Sequence, residues 1–194
     1  MVSLRKAGAY SKRYARPYTR VSRKRTKNFI KSAPASKLVK FNMGNIKMFN
    51  EGKFDTIVKL ISLERVQVRD NALEAARQGI TRHIDKQLQN QFYFEVRVHP
   101  HHILRENKML TGAGADRMQT GMTKSFGKTM GRAAMVKAGE EIFTIATSGD
   151  KNIKTIRNVM EKVKAKLPCK TKIYVEKISP LQQKTQDQPI PNSV

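Results

Sequence analysis

The stretch from His99 to Arg132 constrains the fold of this chain more than any other, because it connects two strand patterns over about thirty residues. Compact domains rarely contain structureless connections longer than ~12–15 residues unless these are functional or disordered. It contains Gly112, Gly114, Gly121, Gly127 and Gly131, with the basic residues Arg105, Lys108, Arg117, Lys124, Lys128 and Arg132 distributed among them. Glycine lets a backbone approach a ligand closely, and basic side chains neutralise phosphate. The pattern therefore indicates a loop that reaches into a negatively charged partner.

The charge balance points to the same kind of partner. The chain has 39 Lys+Arg against 15 Asp+Glu, a formal net charge of +24. Self-repulsion at this charge weakens a compact state, and a polyanion relieves it. Nucleic acid is the first expectation and an anionic membrane surface the alternative. No apolar run approaches the ~18–20 residues of a spanning helix, and the basic start lacks the apolar part of a signal peptide, although a transit peptide stays open. We expect a cytoplasmic protein.

Residues 1–36 predict a basic RNA-binding arm, since no Asp or Glu precedes Glu51. Tyr10, Tyr14 and Tyr18 recur every four residues, which would form one stripe on a helix, but Pro17 and the lack of aliphatic residues favour an extended arm. Two interpretations stay open. The arm is either a solvated disordered tail or a segment that orders on RNA.

Residues 37–178 predict an α+β core with two helices on one face of a mostly antiparallel sheet, an α/β sandwich. The core contains the loop 100–131 as an insertion, and a flexible polar tail spans 179–194. Strand patterns occupy 37–43, 54–64, 92–99, 132–137, 140–147 and 171–178. A helical period runs through 66–88, and a second follows a cap at 148–150. The apolar faces comprise Val66, Leu73, Ala76, Ile80, Ile84 and Leu88, and Ile153, Ile156, Met160, Val163 and Leu167. Gly79 predicts close packing of the first helix on the sheet.

The candidates for a catalytic or metal site are His99, His101, His102, Glu106 and Asp116. Pro100 interrupts them, and no metal-ligand spacing or paired carboxylates accompany them. Cys169 is the single cysteine and has no evident activating base, and no GKS/T follows the loop glycines. We therefore expect no enzyme, metal or cofactor, and histidines that contact RNA or cap a strand end. A nuclease or assembly chaperone that acts on RNA is the rival class.

Four methionines lie in the connection: Met109, Met118, Met122 and Met130. Their Gly, Thr and Lys neighbours offer no helical face, and methionine adapts to irregular surfaces. Core packing and surface contact are both open for them.

Several segments together resemble one family: NALEAARQ at 71–78, VRVHPHHILRENKMLTGAGADRMQTGM at 96–122, SFGKTMGRAA at 125–134 and KLPCK at 166–170. ARPYTR around Pro17–Tyr18 and FNMGN at Phe41–Asn45 also fit. The chain resembles the universal ribosomal protein sixteen of the large subunit, in its archaeal and eukaryotic form, historically called protein ten-e. The likeness spans about residues 4–175, with departures in the arm and beyond Ser179, and an archaeal source is expected.

The resemblance implies a structural, non-catalytic protein bound in the large subunit to the major rRNA, near the 5S rRNA and below the central protuberance. It also implies a monomer between the A and P tRNA sites, beside other ribosomal proteins, with the loop reaching toward the peptidyl transferase centre and tRNA. The residues we expect to bind rRNA are Arg5, Arg13, Arg16, Arg20, Arg23, Arg25, Arg69, Arg77 and Arg97. Those we expect near tRNA are Arg105, Lys108, Gly112, Gly114, Arg117, Lys124 and Lys128.

Overall fold

The computed structural model describes residues 4, 6–12, 30, 32–106 and 127–178. These residues form the helices α1 (Gly8–Ser11), α2 (Ile46–Asn50), α3 (Asp70–Leu88) and α4 (Asp150–Lys164). The strands are β1 (Asn42–Gly44), β2 (Thr56–Ser62), β3 (Val66–Arg69), β4 (Phe92–Val96), β5 (His102–Glu106), β6 (Lys128–Val136), β7 (Glu141–Thr147) and β8 (Thr171–Lys177). The α+β class is confirmed, but the strands form two antiparallel sheets where a single sheet was expected.

The large sheet has the order β1-β4-β7-β2-β8. The helix α4 packs against β2, β7 and β8 of this sheet, and α3 packs against α4 and against β3 and β6 of the small sheet. The apolar side chains of both helices share one core with the large sheet. The alternation predicted for β4 is confirmed, because Phe92, Phe94 and Val96 are all buried. Phe94 meets Phe143 of β7 edge to face, with ring centroids 5.7 Å apart. This aromatic pair lies in the main core beneath the two helices.

The small sheet has the order β3-β6-β5. Its strand β3 contains the residues that the sequence predicts as the start of the first long helix, α3. Val66 belongs to a strand, because Val66 and Val68 alternate and pair with Val136 and Ala134 of β6. The helix begins at Asp70 instead. Its buried carboxylate accepts hydrogen bonds from the backbone N–H of Lys37 at 3.0 Å and of Asn71 at 2.8 Å.

The strands β5 and β6 take in both ends of the predicted connection between His99 and Arg132. Ile103 pairs with Arg132 and Leu104 with Gly131, and both apolar side chains of β5 are buried. Because the backbones pair and these apolar side chains are buried, the residues form strands, whereas the sequence predicts a loop there. The central residues 107–126, including Met109, Met118 and Met122, lie outside the described residues.

The beginning of the chain docks on the small sheet through the short helix α1, where the sequence predicts an extended arm. Tyr10 is buried against Leu104 and Ala133, with Leu4 packed beside it. The chain docks here because the ring of Tyr10 packs into an apolar site on the small sheet. Tyr14 and Tyr18 lie outside the described residues.

Three smaller expectations were wrong. Of the strand predicted at 37–43, only the last two residues fall in β1, and Leu38 packs into the core from an irregular segment. The strands β6 and β7 follow each other in sequence but lie in different sheets. Gly79 faces the helix α4 and not a sheet, since a Cβ atom there would lie 3.6 Å from Val163 Cγ2.

Among the described residues, no helix combines the length and the apolar character needed to cross a membrane.

Candidate nucleic-acid interface

The helix α4 separates apolar and basic residues onto opposite sides. Ile156, Val159, Met160 and Val163 are buried against the core. Five exposed cations occupy the other side and the turn after the helix, and we call them the basic α4 face: Lys151, Lys154, Arg157, Lys162 and Lys166. The apolar spacing holds this side toward solvent, because it fixes which side of the helix enters the core.

None of the five cations of the basic α4 face has an ion-pair partner within the described residues, where Glu161 pairs with Lys164 at 2.7 Å. From Lys151 to Lys166 the helical rise of about 1.5 Å per residue gives a stripe of roughly 22 Å. Cations without carboxylate partners keep their full charge for an external anion. A row of this length can contact several phosphates of a nucleic-acid backbone.

Arg77, predicted to bind rRNA, is engaged by a carboxylate of its own helix. Its Nε donates to Glu74 Oε2 at 2.8 Å and its Nη2 to Glu74 Oε1 at 2.5 Å, while only 13% of its side chain is exposed. The hydrogen bond from Arg77 lowers the pKa of Glu74 and, in return, raises the pKa of the arginine. This bidentate pair occupies the two adjacent guanidinium nitrogens that would otherwise bind a phosphate.

Arg97, also predicted to bind rRNA, lies in an ionic network on the outer face of the large sheet. It contacts Glu95 at 3.0 Å and Glu141 at 3.8 Å, and half of its side chain stays exposed. Lys59 joins Glu141 at 2.9 Å and Glu176 at 2.8 Å. Burial lowers the pKa of Lys59, but hydrogen bonds to the two glutamates outweigh it and raise the value. Three carboxylates therefore surround the two cations, which makes this face the less attractive one for RNA.

The remaining predicted residues lie at the small sheet or outside the described residues. Arg69 places its guanidinium 5.7 Å from the centre of the Tyr10 ring. Arg105 Nη1 donates to the carbonyl of Gly127 at 2.9 Å, across the root of the segment 107–126, and Lys128 is exposed there. The predicted residues without a described position are Arg5, Arg13, Arg16, Arg20, Arg23, Arg25, Lys108, Gly112, Gly114, Arg117 and Lys124.

The histidines before β5 form part of a stack of rings. His99 lies parallel to Phe41, with centroids 5.1 Å apart, and its centroid is 4.1 Å from that of His101. Burial lowers the pKa of His99, followed by the charges of His101 and Arg132. In the described part of the chain, no three His, Cys, Asp or Glu side chains are grouped so as to hold a metal ion.

Cys169 and Asp116 complete the candidates for reactive chemistry. Burial raises the pKa of the Cys169 thiol, although a hydrogen bond with Ser62 opposes the shift. A thiol with a raised pKa is a weak nucleophile at neutral pH. Asp116 lies outside the described residues.

The sequence contains a signal for the basic α4 face, although none of its five cations is among the residues predicted to bind RNA. The spacing of Ile153, Ile156, Met160 and Val163 predicts one apolar side of a helix. The lysines between them must then lie on the other side, with a single glutamate among them. The pairs Glu74–Arg77 and Glu95–Arg97 could also be read from the sequence, because their members lie three and two residues apart. The contact of Arg97 with Glu141 of β7 could not, since it joins two strands that are distant in the sequence.

Comparison with known proteins identifies the family. The model of the family described as ribosomal protein L16p/L10e matches residues 17–174. The large ribosomal subunit protein uL16 of Thermofilum pendens is 42% identical over 161 residues, which cover 82% of this chain and 89% of that protein. The uL16 proteins of Caldivirga maquilingensis and Archaeoglobus fulgidus are 40% and 37% identical, cover 91% and 89% of this chain, and are matched over 97% and 94% of their own length. A match that spans most of the chain and most of each relative confirms the resemblance seen in the sequence, and the chain belongs to the ribosomal protein L16p/L10e family.

Proposed function

We propose that the protein is a structural constituent of the large ribosomal subunit that binds its rRNA, near the 5S rRNA, and helps to position tRNA between the A and P sites. The family match over residues 17–174 is the observation that carries this proposal. The relatives named above are large-subunit proteins, and a net charge of +24 suits a protein embedded in RNA. Peptide transfer in this scheme is RNA chemistry, which the protein supports by position.

The basic α4 face is the surface that we propose for docking on the rRNA backbone. Its five cations have no carboxylate partner within the described residues, whereas Arg77 already forms a bidentate pair with Glu74. Phosphate contacts by Lys and Arg release counterions, so they supply affinity that does not depend on sequence. The apolar side of α4 is packed in the core, which leaves only its charged side for a partner. This arrangement favours RNA over a membrane, since a membrane-bound helix inserts its apolar side.

The test is binding of the purified chain to large-subunit particles from which the protein has been washed, measured across a salt series. The triple variant Lys151→Gln, Lys154→Gln, Arg157→Gln removes three charges from the basic α4 face. Each lost phosphate contact lowers the slope of log affinity against log salt by about one unit, so we expect a slope that is smaller by about two to three. Weaker binding with this smaller slope supports the proposed surface.

The matched control removes the same number of charges elsewhere, by Lys86→Gln, Lys137→Gln and Lys177→Gln. These exposed lysines lie on three different elements or turns and not on one face. If both triple variants lose the same affinity, general charge and not the basic α4 face controls docking. If the wild-type chain itself does not return to the particle at low salt, the proposed ribosomal role is wrong.

We propose that the segment between β5 and β6 meets tRNA or the rRNA along its path. Its glycine and basic residues support this, and the two strands fix both of its ends on the small sheet. Replacement of residues 110–124 by a short Gly-Ser bridge should give particles that assemble but translate poorly, with reduced tRNA occupancy. Normal translation by such particles would refute this part of the proposal.

A further inference from the structure

Three rings form a continuous stack at the edge of the structure, and we call Phe41, His99 and His101 the ring stack. The planes of Phe41 and His99 differ by 14°, and those of His99 and His101 by 39°. Phe41 is half-buried against the main core, whereas both histidines are exposed. The packing of Phe41 on the core therefore supports the two exposed histidine rings.

A tight turn fixes the two histidines before any ligand is present. The backbone N–H of His101 donates to the carbonyl of His99 at 3.0 Å, and Pro100 between them is buried. At the other end, the carbonyl of Phe41 accepts a hydrogen bond from the N–H of Val96 at 2.9 Å. Preorganisation of this kind reduces the entropy that a ligand must offset on binding.

The surroundings of the ring stack are basic. Arg132 acts on His99 through its charge, and its Nε donates to the carbonyl of Pro34 at 2.7 Å. The two terminal nitrogens of Arg132 have no hydrogen-bond partner among the described residues, so they can bind an anion. Lys40, next to Phe41, is exposed as well. A ligand that combines a flat ring with a negative charge fits these groups.

We propose that the ring stack is a stacking site for one unpaired base of RNA, whose phosphate lies against Arg132. Unpaired bases stack on Phe and His side chains, and such contacts tolerate any base because every base has a flat π-face. A net charge of +24 favours a polyanion over an aromatic side chain of another protein. The inference rests on the proposed rRNA binding and adds a specific contact to it.

The test compares three single variants of the full chain on large-subunit particles from which the protein has been washed. His101→Ala should weaken binding roughly 5- to 150-fold, the range for loss of one stacked base. His101→Phe keeps a ring and should bind within about threefold of the wild type. His83→Ala, which removes an exposed histidine of α3, is the matched control and should bind like the wild type.

Crosslinking adds a direct measurement. Particles that contain 4-thiouridine-substituted rRNA should give a nucleotide crosslink on the peptide that carries His99 and His101, and His101→Ala should remove it. Unchanged binding by His101→Ala, a loss with His101→Phe equal to that with His101→Ala, or a nucleotide crosslink that persists in His101→Ala would overturn the stacking site and leave the ribosomal role intact. Failure of the wild-type chain to bind the particle would overturn both.

Discussion

Tyr10 donates a hydrogen bond from its hydroxyl to the buried carboxylate of Glu106, a residue 96 positions further along the chain. The contact joins the first helix to the last residue of β5, where the segment 107–126 begins. The tyrosine ring also packs on Leu104 and Ala133 and lies near the guanidinium of Arg69. The helix α1 and the residue that precedes the segment 107–126 therefore meet at one contact on the small sheet.

Tyr10→Phe should destabilise the protein by about 1–3 kcal/mol, because a buried carboxylate loses a hydrogen bond while the ring keeps its packing. Urea unfolding followed by circular dichroism measures this difference. Tyr174→Phe is the control, since Tyr174 is 40% exposed on β8, and it should change stability by less than about 0.5 kcal/mol. Equal stabilities of the two variants would show that the hydroxyl of Tyr10 contributes nothing.

Gly44→Ala should be strongly destabilising for two separate reasons. The residue has a φ of +86°, and a Cβ atom would lie 2.3 Å from the carbonyl oxygen of Phe92. That oxygen also accepts the N–H of Asn45 at 2.8 Å, so it cannot move away freely. Gly139→Ala is the matched control, because Gly139 has a φ of +84° but open space around it.

Gly139→Ala should lower the free energy of unfolding by about 1–3 kcal/mol through backbone strain alone, and Gly44→Ala should lower it clearly more. Thermal unfolding of both variants decides this. Equal losses would mean that the steric clash with Phe92 is relieved by movement of the strand.

Gly79→Ala should stabilise the protein by about 0.5–1 kcal/mol, the usual gain when glycine in a helix interior becomes alanine. The added methyl group would meet Val163 at 3.6 Å, an ordinary contact distance. Denaturant unfolding measures the gain. A loss of stability would show that α3 and α4 are closer than this distance suggests.

The pair of Glu74 and Arg77 should make stability depend on pH in the acid range. The pKa of Glu74 is lowered below its ordinary value of 4.5 by the hydrogen bond from Arg77. Its contribution is therefore complete above pH 4.5 and is lost as the pH falls through the lowered pKa. Glu74→Gln should flatten this part of the curve of unfolding free energy against pH.

Arg77→Gln should have the same flattening effect, because it removes the cause of the shift. The double variant should then add little, since both changes remove one interaction. Full additivity of the two single variants would mean that the residues act independently.

Local sequence patterns predict most of the core residues. The remaining features depend on pairing between segments that lie far apart in the sequence. The alternation of Phe92, Phe94 and Val96 in β4 needed only its own residues. Val66 fits a helical period equally well, and only its pairing with Val136 makes it part of a strand. The candidate interface follows the same division. The spacing of the lysines of α4 was available from the sequence, whereas the pairing of Arg97 with Glu141 depends on the neighbouring β7.

The position of β2 between β7 and β8 has a consequence for how the protein is made. Thr56 pairs with Thr147 on one side and with Lys177 on the other, so both neighbours of β2 are synthesised long after it. Pairings this distant in sequence slow folding, and unpaired strand edges favour aggregation while they wait. During synthesis, β2 must therefore remain unpaired on one edge until β7 is made and on the other edge until β8 is made. A chaperone or polyanion that shields this nascent intermediate should raise the yield of folded protein more than any change that stabilises the finished fold.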